Sequence, residues 1–288
     1  MSEKSERNTK RRWFITGAGK GLGAALSEEV VRRGDDLIGL VRTPEDAANI
    51  EALNSLNGGA ATAHMGDVTD SAGMRQAIDA LERSGSQVDI LVNNAGYGLL
   101  GAAEEVSETE LRALFDVNVF GAFNAMHAVL PHMRARREGH IINITSVSGL
   151  APWAGTTAYT ASKYALEGIG QTLQGEVAEL GIHVTNVAPG ALRTKFGTSS
   201  LRTAERTIED YSGAAHEPRR GYAATGGKEA GDPGRAATAI FNVTREPVPP
   251  LHLLLGADAL KYYELEQARI NGEIDQYRDV SLSIAFDD

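Results

Sequence analysis

Two residues in this chain have a spacing that suits acid–base chemistry. Tyr159 and Lys163 bracket the stretch Tyr159-Thr160-Ala161-Ser162-Lys163. Four apart on a helix, they share one face, one turn from each other. A free phenol titrates near about 10, too high to trade protons readily at neutral pH, and a neighbouring ammonium lowers that value by favouring the phenolate. Tyr159 is therefore a candidate general acid or base, with Lys163 as the group that tunes it. The pair alone also reads as an ordinary helix start with a half-buried Tyr and a solvated Lys, and the remaining chain has to decide.

Apolar runs alternate with helical patterns almost from the start. Trp13–Thr16, Leu37–Val41, Ala60–Met65, Ile90–Asn93, Ile141–Ile144 and His183–Val187 read as short strands. Helical spacing covers Leu22–Arg33, Ala47–Leu56, a stretch capped by Ser71 that runs through Leu81, residues 108–137 with a kink expected at Pro131, and Tyr159–Leu180. A helix opening at Asp232-Pro233, a last strand at Leu251–Leu255 and a terminal helix over Ala257–Tyr277 follow. This alternation predicts an α/β fold: one domain over residues 12–288, built on a doubly wound parallel sheet of about seven strands with helices on both faces. Residues 1–11 are polar and basic and read as a disordered tail. Residues 190–234, rich in Gly, Arg, Thr and Glu, read as an insertion in that domain. They are either a mobile lid over a site or a loosely packed surface excursion.

Ligands of such sheets bind beyond the carboxyl ends of the strands. After the first strand comes Thr16-Gly17-Ala18-Gly19-Lys20-Gly21-Leu22-Gly23. Glycines there allow a tight turn and close approach of the backbone to a pyrophosphate, and the next helix offers free N–H groups. The second strand ends in Arg42, where an acidic residue would favour a ribose 2′-hydroxyl and a basic one a 2′-phosphate. With Lys20 in the turn, Arg42 favours NADP(H) over NAD(H); Asp35 and Asp36 precede the strand and read as turn residues. Asp67-Val68 follows the third strand, with Asp67 a candidate acceptor for an adenine amino group. Asn93-Asn94-Ala95-Gly96 follows the fourth, Ser146 the fifth and Pro189-Gly190 the sixth.

Composition excludes several alternatives. The chain has 288 residues, a net charge of -10 and no cysteine. The acidic balance argues against non-specific nucleic-acid binding. Without cysteine there is no disulfide, thiolate metal site or Cys nucleophile, which fits a reducing cytoplasmic setting. The histidines form no ligand pattern, His127 and His132 being five apart, and no metal is expected. No stretch reads as long and apolar enough to span a bilayer.

Together these motifs resemble the short-chain dehydrogenase/reductase family. The likeness rests on the 16–23 turn, Asn93-Asn94-Ala95-Gly96, Asn118, Ser146 thirteen positions before Tyr159, Lys163, and Pro189-Gly190 followed by Thr194. It spans roughly residues 12–194. The resemblance implies a single Rossmann domain and hydride transfer with a nicotinamide cofactor. Carried over, Tyr159 is the general acid/base, Ser146 binds the substrate oxygen, and Lys163 binds the nicotinamide ribose and lowers the Tyr159 pKa. Asn118 helps hold a proton-relaying water, and Thr194 contacts the carboxamide side of the cofactor. The long carboxyl-terminal part is similar to members acting on hydroxysteroids, retinoids and other bulky apolar alcohols. Leu99, Val147, Trp153, Phe196 and Tyr211 are candidates for an apolar pocket, each with a plain core role as the alternative.

The expected function is NADP(H)-dependent interconversion of a ketone or aldehyde with an alcohol. Its rivals are an enzyme using the same Ser–Tyr pair for epimerisation or dehalogenation, and a non-catalytic NADP(H) sensor. The intact turn, Lys163, Ser146 and Tyr159 argue against both. The small-apolar helices around Ala125, Ala128 and Val129 would pair copies into a homodimer or homotetramer, as in many members, or face the core instead.

Overall fold

The computed structural model describes residues 10–286. Its main sheet has seven parallel strands, and two three-residue strands pair separately. In chain order the strands are β1 (Arg12–Thr16), β2 (Asp36–Val41), β3 (Ala61–Met65), β4 (Ile90–Asn93), β5 (Gly98–Leu100), β6 (Gly139–Ile144), β7 (Ile182–Pro189), β8 (Leu201–Thr203) and β9 (His252–Leu255). The main sheet runs β3-β2-β1-β4-β6-β7-β9, and β5 pairs with β8. The order reverses between β1 and β4, which opens a crevice at the carboxyl end of the sheet.

The helices are α1 (Gly21–Arg32), α2 (Pro44–Ala52), α3 (Ser71–Arg83), α4 (Glu108–Phe115), α5 (Gly121–Arg136), α6 (Thr157–Val177), α7 (Glu217–Thr225), α8 (Pro233–Val243), α9 (Ala257–Gln276) and α10 (Arg278–Leu282). Strand parity divides the core. Trp13 and Ile15 pack with Leu26 and Val30 of α1 and Ile240 of α8. Phe14, between them, points to the other face and packs with Ile78 of α3 and Met126 of α5. A strand sends successive side chains to opposite faces, so strands buried on both sides read as the continuous apolar runs seen here.

Several expectations are corrected. Lys10 and Arg11, assigned to the tail, are anchored: Lys10 pairs with Asp36 at 2.6 Å, and the Arg11 amide donates to Asp35 Oδ1 at 3.1 Å. The rest of the expected tail, residues 1–9, lies outside the described residues. Asp35 is a buried hub rather than a turn residue, accepting also from Trp13 Nε1 at 2.8 Å and from Arg245. The helix runs through Pro131 to Arg136, and its departure from α geometry is a π-helical turn at Asp116–Phe120. Contrary to expectation, the continuous helix Glu108–Arg136 is long and apolar enough by composition to cross a membrane. Half of that window is buried, however, and Ala125, Met126, Val129 and Met133 lie in the core beneath the sheet. It reads as a core helix.

The 190–234 segment is folded. It contributes β8, which pairs in parallel with β5, and α7, begun at Glu217-Pro218.

Candidate active site

The glycine turn is bolted to the end of β4. Thr16 Oγ1 accepts from the backbone N–H groups of Asn94 and Ala95, both at 3.0 Å. Asn94 Nδ2 donates back to the carbonyls of Thr16 and Gly17, also at 3.0 Å each. Gly23 closes the turn: a Cβ there would stand 2.3 Å from the Gly17 carbonyl oxygen and 2.5 Å from Asn94 Nδ2. Helix α1 starts with no side-chain cap, leaving its first N–H groups for an anion. The arrangement fits a pyrophosphate. Beneath it runs a buried ladder that sequence reading missed. Asn93 donates to Asn143 at 2.9 Å and Asn143 to Asn186 at 3.0 Å, while Asn186 donates to Glu167 at 2.7 Å.

At the far end of the cleft stand Lys20 and Arg42, with side chains 59% and 68% exposed. Lys20 faces Asp46 at 3.4 Å and Arg42 faces Asp67 at 3.7 Å. Asp67 Oδ1 is already occupied by the Thr69 amide and hydroxyl, at 2.9 and 2.8 Å. Burial pushes the Asp67 carboxyl up, and the Thr69 hydrogen bonds and Arg42 more than offset that, so it titrates below its ordinary value. Asp46, not singled out from the sequence, keeps one buried oxygen, Oδ1, without a hydrogen-bond partner. Val68 lines the cleft beside Asp67.

The chemical groups converge at the other end. Tyr159 rises from the first turn of α6, and Ser146 from the end of β6, where its Oγ also accepts from Ser148 N at 3.1 Å. Ser146 and Tyr159 both line the cleft, and the Ser146 hydroxyl is the neighbour that acts to lower the phenol. Lys163 is buried, its Nζ donating to the Ile144 carbonyl at 2.9 Å and lying 5.8 Å from the centre of the Tyr159 ring. Burial pulls the Lys163 ammonium down to about 8, with Glu167 working the other way. Tyr159 departs from expectation. Burial outweighs the opposing influence of the Ser146 hydroxyl and holds the phenol above its ordinary range, with Tyr222 adding to the rise. In this state the tyrosine is a proton donor.

Asn118 sits in the π-helical turn of the long helix. Such turns recur at functional sites. Its side chain accepts from Tyr97 N at 3.0 Å and donates to Tyr97 O at 2.9 Å and Ser162 Oγ at 3.1 Å. Ser162 in turn donates to the Tyr159 carbonyl at 2.7 Å. Asn118 thus ties the Gly96-Tyr97 bend to helix α6.

One cleft of about 1070 Å³ joins the two ends. Gly17, Gly19, Lys20, Gly21, Leu22 and Arg42 line one part; Asn94, Ala95, Gly96, Pro189, Gly190 and Thr194 the middle; and Ser146, Tyr159 and Lys163 the other end. Of the pocket candidates, Val147, Trp153 and Phe196 line it, and the Phe196 ring lies 6.1 Å from that of Tyr159. Leu99 does not. It faces a buried cluster with Leu114 and Ala158, and its neighbour Leu100 reaches the cleft. Tyr211 also lies elsewhere, on the outer surface, where its hydroxyl donates to Glu104 at 3.1 Å. Tyr222, Pro218, Leu201 and Tyr262 line the cleft instead, with Tyr262 packed edge-on against Trp153. Among the described residues, no three His, Asp or Glu side chains gather as a metal site.

Comparison with known proteins agrees with this geometry. The family model for short chain dehydrogenase matches residues 11–205. A protein named oxidoreductase BOA17, from Botryotinia fuckeliana, is 32% identical over 275 residues, which is 95% of this chain and 98% of that protein. A short-chain dehydrogenase structure from Streptomyces avermitilis superposes with a TM-score of 0.88 at 36% identity, covering 99% of this chain and 100% of that one. A short-chain dehydrogenase/reductase from Burkholderia phymatum, in complex with NAD, superposes at 0.80 with 25% identity over 92% of this chain and 95% of its own. The chain belongs to the short-chain dehydrogenase/reductase family and is an oxidoreductase of the kind that works with NAD(P).

Proposed function

We propose that this protein is an NADP(H)-dependent reductase and dehydrogenase that interconverts a ketone or aldehyde with an alcohol, on a bulky apolar substrate. The observation that carries the reading is that Ser146, Tyr159 and Lys163 line one cleft with the glycine cradle, Lys163 Nζ lying 5.8 Å from the centre of the Tyr159 ring. Bound NADP(H) supplies or accepts the hydride. Tyr159, protonated in this environment, delivers the proton to the oxygen of a carbonyl, and the Ser146 hydroxyl stabilises charge developing on that oxygen. Lys163 places its ammonium beneath the tyrosine and favours its return as a base for the reverse direction. Asn118 keeps the bend at Gly96-Tyr97 and the start of α6 in register.

Arg42 supports NADP(H). It is the cation at the ribose end with the most exposed side chain, and a guanidinium matches a 2′-phosphate in charge and shape. Lys20 adds a second cation, with its side chain less exposed and paired with Asp46 at 3.4 Å as Arg42 is with Asp67 at 3.7 Å. The apolar substrate is supported by Val147, Trp153, Phe196 and Leu201 around the Ser146–Tyr159 pair. The exposed rings of Phe120 and Phe123 on the long helix fit assembly into a homodimer or homotetramer.

The test is nicotinamide absorbance with a panel of ketones and alcohols, on wild type and Tyr159→Phe. Wild type turns over members of the panel, and Tyr159→Phe loses roughly a hundred- to ten-thousand-fold in kcat while binding NADPH as before. Full activity in Tyr159→Phe would remove the assigned acid.

A further inference from the structure

Beyond the β5–β8 pairing, one buried carboxylate gathers several contacts from the segment between β7 and α8. Glu105 lies in the loop after β5 and is 1% exposed. Its Oε1 accepts from the Ile208 amide at 2.8 Å and from His216 Nε2 at 2.7 Å. Its Oε2 accepts from the Ala102 amide at 2.8 Å and from Arg219 Nη2 at 3.1 Å. Three of these four donors belong to the segment. A buried carboxylate is tolerated only when its oxygens are filled in this way. Burial pushes Glu105 up, yet the two amides, His216 and Arg219 together drive it down to about 2. It is ionised throughout the physiological range.

Helix α7 has two working flanks. Pro218, Gly221 and Tyr222 share one face at helical spacing and line the cleft. Arg219, and His216 just before the helix, reach the other way to Glu105. The seat is close to the chemistry. Gly155, with φ of 76°, runs under the segment so tightly that a Cβ would meet the Ala215 carbonyl oxygen at 1.9 Å. Two residues later α6 begins, carrying Tyr159.

We propose that Glu105 is a positioning residue for the substrate side of the active site: it anchors α7 so that Tyr222 stands as the cleft wall facing Tyr159. Its kinetic consequence rests on the reductase reading above; its structural consequence does not. Glu105 does not line the cleft, so its loss acts on substrate recognition through α7 and leaves the glycine cradle alone.

The experiment is hydrogen exchange and kinetics on Glu105→Gln, with Arg219→Met as a milder variant should the first fold poorly. In either variant, amides of residues 206–222 exchange at least about tenfold faster, and those of β1, β4 and β6 do not change. KM for a turned-over ketone rises about tenfold or more, with NADPH affinity held within about twofold. In wild type, Tyr222→Ala raises KM; in the Glu105→Gln background it adds less than about twofold, because the wall is already displaced. Unchanged exchange over 206–222 in a folded variant overturns the proposal, as does a full Tyr222→Ala effect in the Glu105→Gln background. If wild type turns over no ketone, the reductase reading fails, and the exchange measurement alone decides the anchor.

Discussion

The Lys163 ammonium lies 5.8 Å from the centre of the Tyr159 ring, the lysine buried and the tyrosine half-buried in the cleft wall. Their displacements are opposite in sign: burial raises the phenol and lowers the ammonium, to about 8 for the lysine. Below that value Lys163 is charged and favours a phenolate nearby; above it the charge is gone. Carbonyl reduction is expected to hold a constant kcat/KM near neutrality and to fall as pH rises past about 8. A pH–rate profile checks this. A profile with no inflexion between about pH 7 and 9 would detach Lys163 from the proton transfer.

Gly23 has no room for a side chain against Gly17 and Asn94. Gly23→Ala is expected to cost about 1–3 kcal/mol of stability by overpacking. Because the strain falls on the turn itself, NADPH affinity drops as well, by about tenfold or more. A thermal melt and a cofactor titration read the two effects separately. A normal cofactor affinity in the destabilised variant would mean that the turn does not form the pyrophosphate seat.

Arg42→Asp replaces the exposed cation at the ribose end with an acceptor suited to a free 2′-hydroxyl. The ratio of kcat/KM for NADPH over NADH is expected to fall by about tenfold or more, the scale of one charged hydrogen bond. An unchanged ratio would place the 2′-phosphate away from Arg42.

Glu105 predicts an acid-sensitive attachment. Its folded pKa, about 2, lies below the ordinary glutamate value. A depressed carboxylate stabilises the fold fully above its unfolded pKa, and the contribution is lost as pH falls through the folded one. The window therefore runs downward from about 4.3 to about 2. In thermal melts, the gap between wild type and Glu105→Gln is expected to be widest above that window and to narrow as pH drops within it. A gap that does not change with pH would contradict an ionised anchor.

Most of the site was legible from the order of motifs along the chain. Strand ends alternate with helices, so Thr16, Asn94, Ser146 and Pro189 all fall at one edge of the sheet, and residues 130 positions apart meet there for a topological reason. What could not be read depends on parity, distance or burial. Leu99 and Leu100 are adjacent, and only the pleat of a three-residue strand decides which reaches the cleft. That strand exists because β8, a hundred residues later, pairs with it. Glu105 looks like any solvated loop glutamate until its partners, 103 and 114 residues away, arrive. Tyr211 and Tyr222 are both aromatic residues of one polar segment, and the start of α7 sends the second inward. The direction of the Tyr159 shift follows from burial, which spacing to Lys163 does not report.

The β5–β8 pairing has a consequence for how this enzyme can change. Main-chain hydrogen bonds join the two strands, and they do not depend on which side chains the strands carry. The cofactor turn, Ser146, Tyr159 and Lys163 all lie outside the stretch from β8 to α7. Leu201, Pro218 and Tyr222 thus form a part of the cleft wall whose side chains can vary while the strand pairing that carries them, the glycine turn, Ser146, Tyr159 and Lys163 are left as they stand.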